Sequence, residues 1–146
     1  MDKTFTGVVE EDGVKKWYQN GLLHREDGPA FEGNDKAWYI NGQPHRDNDL
    51  PAIERLNGDK LWLQHGKLHR DNDLPAVIKA DGTKEWYKNG LLHRENRLPA
   101  IRKPDGSRQW YENGKDMDSA SQIALGMMKS LRNKVFGASN SDNYKP

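Results

Sequence analysis

HRDNDLPA occupies residues 45–52 and returns without change at residues 69–76, with looser copies on either side of the pair. These copies belong to a longer period, which is marked by tryptophans spaced 21, 24, 24 and 24 residues apart: Trp17, Trp38, Trp62, Trp86 and Trp110. Each of the first four is followed seven positions later by a His-Arg pair. A fixed period of this length is typical of stacked supersecondary units that cannot bury their apolar faces alone. The sequence therefore predicts about five repeats of 21–24 residues, which we number units 1 to 5.

Two turn signals divide each unit into strands. The first is Asn-Gly or a close relative three residues after the tryptophan, as at Asn89-Gly90, and this pair is the strongest short signal for a β-hairpin. The second precedes the tryptophan in most units, as at Asp81-Gly82. Each unit is therefore expected to contain three antiparallel strands. The predicted fold is mainly β, an elongated antiparallel hairpin-repeat sheet over residues 1–118.

If both turns contain two residues, they also fix which side chains face one another. Pairing outward from the Asn-Gly turn of unit 4 sets Tyr87 opposite Leu92 and Trp86 opposite His93. Pairing outward from its Asp-Gly turn sets Val77 opposite Trp86. Applied to every unit, this register predicts one face lined by an aliphatic residue, a tryptophan and a histidine. We predict that this face forms the structural core.

Composition limits the possible classes of function. The 146 residues fit one domain, and the absence of cysteine excludes a disulfide framework. The first 13 residues contain no apolar stretch like that of a signal peptide, and no run approaches the roughly 20 apolar residues of a membrane span. We therefore expect a cytoplasmic protein for which membrane binding is a minor alternative. Because 23 basic residues offset 22 acidic ones, nucleic acid is not an expected partner.

The run Tyr-x-Asn-Gly-x-x-His, found at residues 18–24 and 87–93, together with a period near 23 residues, resembles MORN repeats and their bacterial and viral variants. The resemblance covers roughly residues 5–118. MORN repeats form elongated sheets of successive antiparallel hairpins that serve as scaffolds, protein-binding platforms or membrane-associated modules. After the histidine this chain departs from the glycines of that pattern, which weakens any transfer of lipid binding. With its Leu-Pro-Ala segment, the motif is more similar to repeats of small phage and large-virus accessory proteins.

Motifs that suggest chemistry are incomplete. His-Arg-Asp at residues 45–47 matches the start of a kinase catalytic loop, but the phosphate loop, pairing lysine and metal ligands of a kinase are missing. The Asp-Asn-Asp segments lack the glycine and distal glutamate of a calcium loop. Equivalent histidines lie two or more strands apart, too far to share one metal ion. We predict no catalytic residue, metal or cofactor, and we expect each histidine to pack on its tryptophan and hydrogen-bond into the following loop.

The arginine after each histidine has two possible roles. It can pair with the acidic residue that follows it or stack on an aromatic ring, or it can receive carboxylates or phosphates of a partner. Interfaces concentrate binding energy in tyrosine and arginine, so we predict five partner-binding residues: Tyr39, Tyr87, Arg46, Arg70 and Arg94. On this interpretation, replacing Arg70 and Tyr87 weakens binding and leaves the fold intact.

The repeat ends in unit 5, where Met117-Asp118 replaces His-Arg. Beyond it, Ser119 has the spacing of a helix N-cap and apolar residues recur at helical intervals: Ile123, Met127, Leu131 and Val135. We predict an amphipathic helix over 119–137 and a flexible tail over 138–146. The helix either caps the sheet by covering its last strands or docks onto a partner, including a second copy of the chain.

These features together favour a non-catalytic module that binds another protein, such as a viral accessory protein that modulates a host protein. A receptor that sequesters a nucleotide or another small anion through arginine and aromatic rows is the alternative. A hydrolase built on one of the repeat histidines is a lesser alternative.

Overall fold

The chain is mainly β in a computed structural model that describes residues 2–117 together with residues 127, 128 and 131. The strands of the described residues form an antiparallel 11-stranded sheet and four two-stranded hairpins. The strands are β1 Gly7–Glu11, β2 Val14–Gln19, β3 Leu22–Leu23, β4 Phe31–Glu32, β5 Lys36–Ala37, β6 Tyr39–Ile40, β7 Gln43–Pro44, β8 Ile53–Glu54, β9 Lys60–Leu61, β10 Leu63–Gln64, β11 Lys67–Leu68, β12 Val77–Ile78, β13 Lys84–Glu85, β14 Tyr87–Lys88, β15 Leu91–Leu92, β16 Ile101–Arg102, β17 Arg108–Gln109, β18 Tyr111–Glu112 and β19 Lys115–Asp116.

The chain builds two parallel columns of hairpins. The first hairpin of every unit joins the long sheet, whose strand order is β1-β2-β4-β5-β8-β9-β12-β13-β16-β17 with β3 beside β2. From unit 2 onward the second hairpin forms its own two-stranded ribbon, and the tryptophan lies at the break between the two columns, as Trp62 does between β9 and β10. The Trp62 amide donates to the carbonyl of Ala76 in the next unit at 2.7 Å. Backbone hydrogen bonds therefore join successive units.

The predicted register is confirmed for the second hairpins and wrong for most of the first ones. Tyr87 faces Leu92 as expected, but Val77 faces Glu85 rather than Trp86. The loop at this point has three residues, because Lys79 N–H donates to the Thr83 carbonyl and closes a wider turn that ends on a left-handed glycine. Only unit 1 keeps the predicted pairing of aliphatic residue and tryptophan, Val8 with Trp17.

Because of this shift, the aliphatic residues no longer lie opposite the tryptophans. Their actual cross-strand partners in units 2 to 5 are Phe31 with Ala37, Ile53 with Leu61, Val77 with Glu85 and Ile101 with Gln109. A displacement by one residue places a side chain on the opposite face of a sheet. The predicted core face of aliphatic residue, tryptophan and histidine is therefore wrong from unit 2 onward.

A narrow column of small side chains forms the centre of the core. The alanine that ends each loop is fully buried in four successive units: Ala30, Ala52, Ala76 and Ala100. Trp62 and Trp86 are 7% and 6% exposed. Each of these alanines lies where its carbonyl accepts the tryptophan amide of the preceding unit, so the methyl group is confined at the contact between units. The core is thin, and its stability depends on contacts between units.

The predicted helix at 119–137 and tail at 138–146 lie outside the described residues, apart from three positions. The side chains of Met127, Met128 and Leu131 are 62%, 66% and 59% exposed. Within the part of the chain that is described, no helix has both the length and the apolar character needed to cross a bilayer.

Candidate functional site: the loop face

The loops that follow the His-Arg pairs of units 2 to 4 share one backbone shape. In unit 3, Asn72 and Asp73 both have left-handed φ angles, 62° and 55°, and the Leu74 amide donates to the Asp71 carbonyl at 3.3 Å. Asparagine and aspartate tolerate this conformation better than other residues with a Cβ atom. The equivalent two positions are also left-handed in unit 2, at Asn48 and Asp49, and in unit 4, at Asn96 and Arg97. We call residues 26–28, 47–50, 71–74 and 95–98 the loop face.

The histidines connect each loop to the next unit. His69 Nδ1 accepts a hydrogen bond from the Asn89 amide at 3.1 Å, and its Nε2 lies 2.8 Å from the Asp71 carboxylate. Since Nδ1 is an acceptor, Nε2 carries the hydrogen and donates it. The same pair of contacts holds His45 and His93. The expected bond into the following loop is confirmed for these three, and the bond to the next unit is an addition that the spacing did not predict.

Unit 1 departs from this arrangement. His24 Nδ1 accepts from the Asn41 amide at 3.0 Å, but its Nε2 lies 3.4 Å from Glu26 and forms no hydrogen bond. The loop here is Glu-Asp-Gly rather than Asp-Asn-Asp-Leu. In units 2 to 4 both ring nitrogens are engaged, so a hydrolytic role for one of those histidines would first require breaking a contact of the fold. No group of three or more potential ligands able to hold a metal ion occurs among residues 2–117.

The arginines are held by the fold on several sides. The Arg70 guanidinium lies 3.9 Å from the centre of the Trp62 ring, and its Nη1 donates to the Pro75 carbonyl at 3.1 Å. Its Nε and Nη2 donate to the Asp49 carboxylate at 2.8 and 3.2 Å. The predicted stacking is confirmed in units 1 to 4. The predicted acidic partner is wrong, because Asp49 belongs to the preceding loop and the adjacent Asp71 bonds to His69 instead.

The five residues predicted to bind a partner are therefore placed differently from one another. Arg46, Arg70 and Arg94 have side chains only 22%, 12% and 11% exposed, and each guanidinium already stacks on a ring and donates to a proline carbonyl. Arg70, Arg94 and Tyr87 line one cleft, Arg46 lines another, and Tyr39 lines neither. Burial, and after it the Glu85 carboxylate, raises the pKa of the Tyr87 phenol. An anion would have to displace internal contacts of these arginines, which disfavours the anion-receptor alternative.

Three clefts lie between neighbouring loops. Their volumes are about 520 Å³ between the loops of units 1 and 2, about 240 Å³ between units 2 and 3, and about 170 Å³ between units 3 and 4. Carboxylates border all three, and the most exposed ones are Glu26, Asp27, Asp47 and Asp71 at 83%, 86%, 78% and 81%. The leucine before the loop proline of units 2 to 4 is also partly exposed: Leu50 at 43%, Leu74 at 37% and Leu98 at 39%. The loop face thus presents carboxylates and leucines at regular intervals.

These leucines were not among the predicted binding residues. The available signal was the recurrence of leucine before proline in a polar loop, where packing does not require an apolar side chain. Exposed apolar surface that is grouped together marks binding sites, and the three leucines supply apolar surface at the same position of successive loops.

The pairing of Asp49 with Arg70 predicts a pH-dependent part of the stability. The hydrogen bond from Arg70 lowers the pKa of the Asp49 carboxyl. A carboxyl whose folded pKa lies below its unfolded value of about 3.9 stabilises the fold above that pH, and this contribution is lost as the pH falls through the folded pKa. We expect Asp49→Asn to melt below the parent chain at neutral pH and the difference to shrink on acidification. Thermal melts across this pH range test it, and a difference that grows towards low pH would contradict the pairing.

Comparison of the chain with protein-family models, with curated proteins and with solved structures finds no match in any of the three. The geometry of the loop face is therefore the basis for assigning a function.

Proposed function

We propose that this chain is a non-catalytic repeat module that binds another protein across its loop face. The observation that carries this proposal is the regular display of partly exposed leucines and carboxylates on loops of one fixed shape. The arginines and histidines beneath them brace the loops through bonds to the backbone, to rings and to neighbouring units. A surface that is held rigid before binding loses less conformational entropy when a partner docks.

The spacing of the leucines suggests the partner's chemistry. Each unit adds two strands to the long sheet, so equivalent leucines lie about 10 Å apart. A protein segment that offers an apolar side chain at this interval, flanked by lysine or arginine, matches both the leucines and the surrounding carboxylates. Basic side chains on the partner would pair with exposed carboxylates such as Asp47 and Asp71 at the rim of the clefts.

The period of 21–24 residues supports a MORN-like array of about five repeats, as in viral accessory proteins that act on host proteins. The exposed side chains of Met127, Met128 and Leu131 support a contact of the 119–137 stretch with a partner or a second copy. The absence of cysteine suits a reducing, cytoplasmic compartment.

Serine substitution of Leu50, Leu74 and Leu98 together tests the proposal. We expect partner affinity to fall about tenfold or more, as for the loss of interface anchors, with little change in melting temperature because all three are partly exposed. Capture from a host-cell lysate identifies the partner, and calorimetry with the purified partner measures the affinity. Leu56→Ser is the matched control, since Leu56 is 71% exposed in the turn between β8 and β9, away from the loop face. Equal affinity of the triple variant and the parent would exclude the loop face as the binding surface.

A further inference from the structure

One row of cross-strand neighbours crosses the long sheet with a charged side chain on almost every strand. We call it the charge row, and in sheet order it consists of Glu10, Lys15, Glu32, Lys36, Glu54, Lys60, Ile78, Lys84, Arg102 and Arg108. Its first six positions alternate between acid and base. Its last three are all basic, and we call these three the basic triad.

The change of pattern has an energetic consequence. Opposite charges directly across a pair of strands stabilise a sheet, and like charges in that position destabilise it. Arg102 lies between Lys84 and Arg108, so both of its neighbours repel it. All three side chains are exposed, and none forms an ion pair with any described residue. Glutamate at position 102 would restore the alternation, as Glu54 does at the equivalent place between Lys36 and Lys60.

The charge row lies on the tryptophan side of the sheet. Arg25 and Arg46, which stack on tryptophans, approach the row at Glu32 and Glu54, each at 3.5 Å. The same end of the array gains a further cation in the last loop, where Arg97 takes the place that Asp49 and Asp73 hold in earlier loops. The charge is therefore polarised: residues 2–58 contain 11 acidic and 7 basic residues, and residues 59–117 contain 9 acidic and 12 basic.

We infer that the basic triad is a docking site for a short acidic segment of a protein, separate from the loop face. The triad spans two strand spacings, about 10 Å, which accommodates two or three carboxylates. A nucleic acid fits less well, because stable binding takes several more phosphate contacts than three cations supply. The chain's own residues 118–146 contain two acidic and four basic residues, so they do not complement the triad.

Arg102→Glu is expected to weaken peptide binding and to raise the stability of the fold. The probe is a labelled hexaglutamate peptide at low ionic strength, compared with hexaglutamine of the same length. We expect the parent chain to bind only the acidic peptide, more weakly as salt is added, and Arg102→Glu to lose about tenfold or more in affinity. The same variant is expected to melt about 1 to 5 °C higher, because two repulsive cross-strand pairs become attractive. Lys36→Ala, which removes a cation from the alternating part of the row, is expected to retain binding.

Several outcomes would overturn the inference. They are failure of the parent chain to bind hexaglutamate, unchanged binding by Arg102→Glu, and tighter binding of a single-stranded oligothymidine than of hexaglutamate. Arg108→Glu provides a second variant with the same expected loss of binding. The serine variant of Leu50, Leu74 and Leu98 should bind hexaglutamate like the parent, so failure of the loop-face proposal and failure of this inference give different results.

Discussion

Trp62→Ala is expected to lower the free energy of unfolding by about 3 to 5 kcal/mol, the range for removal of a buried tryptophan. The indole is 7% exposed, donates from Nε1 to the Asp49 carbonyl at 3.0 Å and supports the Arg70 guanidinium. Its removal therefore leaves a cavity, an orphaned carbonyl and an unsupported arginine. Because small domains have only about 5 to 15 kcal/mol of stability, much of the fold's stability would be lost. Denaturant unfolding followed by circular dichroism measures the change.

Trp110→Ala is the matched control for this substitution. Trp110 is half-buried, and no guanidinium of the described residues stacks on its ring. We expect Trp110→Ala to lower the free energy of unfolding by about half as much as Trp62→Ala or less, in proportion to the smaller buried area. Equal losses at the two positions would show that stacking between units contributes little to the stability of the middle of the array.

Arg70→Ala is expected to cost about 2 to 4 kcal/mol, combining a desolvated cation–π contact with charge-assisted hydrogen bonds. The variant loses the contacts with Trp62, the Pro75 carbonyl and the Asp49 carboxylate. Arg70→Lys should lose less stability than Arg70→Ala. A lysine ammonium group can still donate to the carbonyl, but it cannot stack on the ring or donate to both carboxylate oxygens as a guanidinium does. Thermal and denaturant unfolding of both variants shows which of the two loses more stability.

Arg55→Ala provides a comparison for Arg70, because Arg55 is an exposed arginine at a turn of the long sheet. Its replacement is expected to change stability by no more than about 0.5 kcal/mol. The two arginines also distinguish the structural role from the binding role. If Arg70→Ala melts like the parent chain yet loses the partner, Arg70 is a binding residue, as its sequence pattern first suggested.

The hairpins were predictable from sequence, whereas the register of the first hairpins was not. Asp12-Gly13 and Asp81-Gly82 are the same dipeptide. In the first, both residues have left-handed φ angles and the loop has two residues; in the second, only the glycine is left-handed and the loop has three. Both loop types accept Asp-Gly, and the three-residue loop has a bond to the preceding unit, from the Ala80 amide to the Asp59 carboxylate at 2.8 Å. A local motif therefore predicted the turn without fixing which face each side chain occupies.

The contacts of the candidate site could also be predicted from the sequence only in part. Stacking of arginine on tryptophan could be inferred because the two residues recur together in units 1 to 4. The partner of Arg70 could not, since Asp49 is 21 residues earlier and is brought near only when two units stack. The histidine bond to the next turn, as from Asn89 to His69, depends on the same stacking. Contacts between units have no signal within a single repeat.

Hydrogen–deuterium exchange of the chain, alone and with its purified partner, tests the binding surface most directly. If the partner binds the loop face, exchange on binding becomes slower at residues 47–50, 71–74 and 95–98, whose backbone forms the surface offered to the partner. The turns that join the paired strands of the long sheet, at residues 55–59 and 79–83, should exchange at the same rate in both states. Slower exchange confined to those turns, with the loops unchanged, would contradict the account.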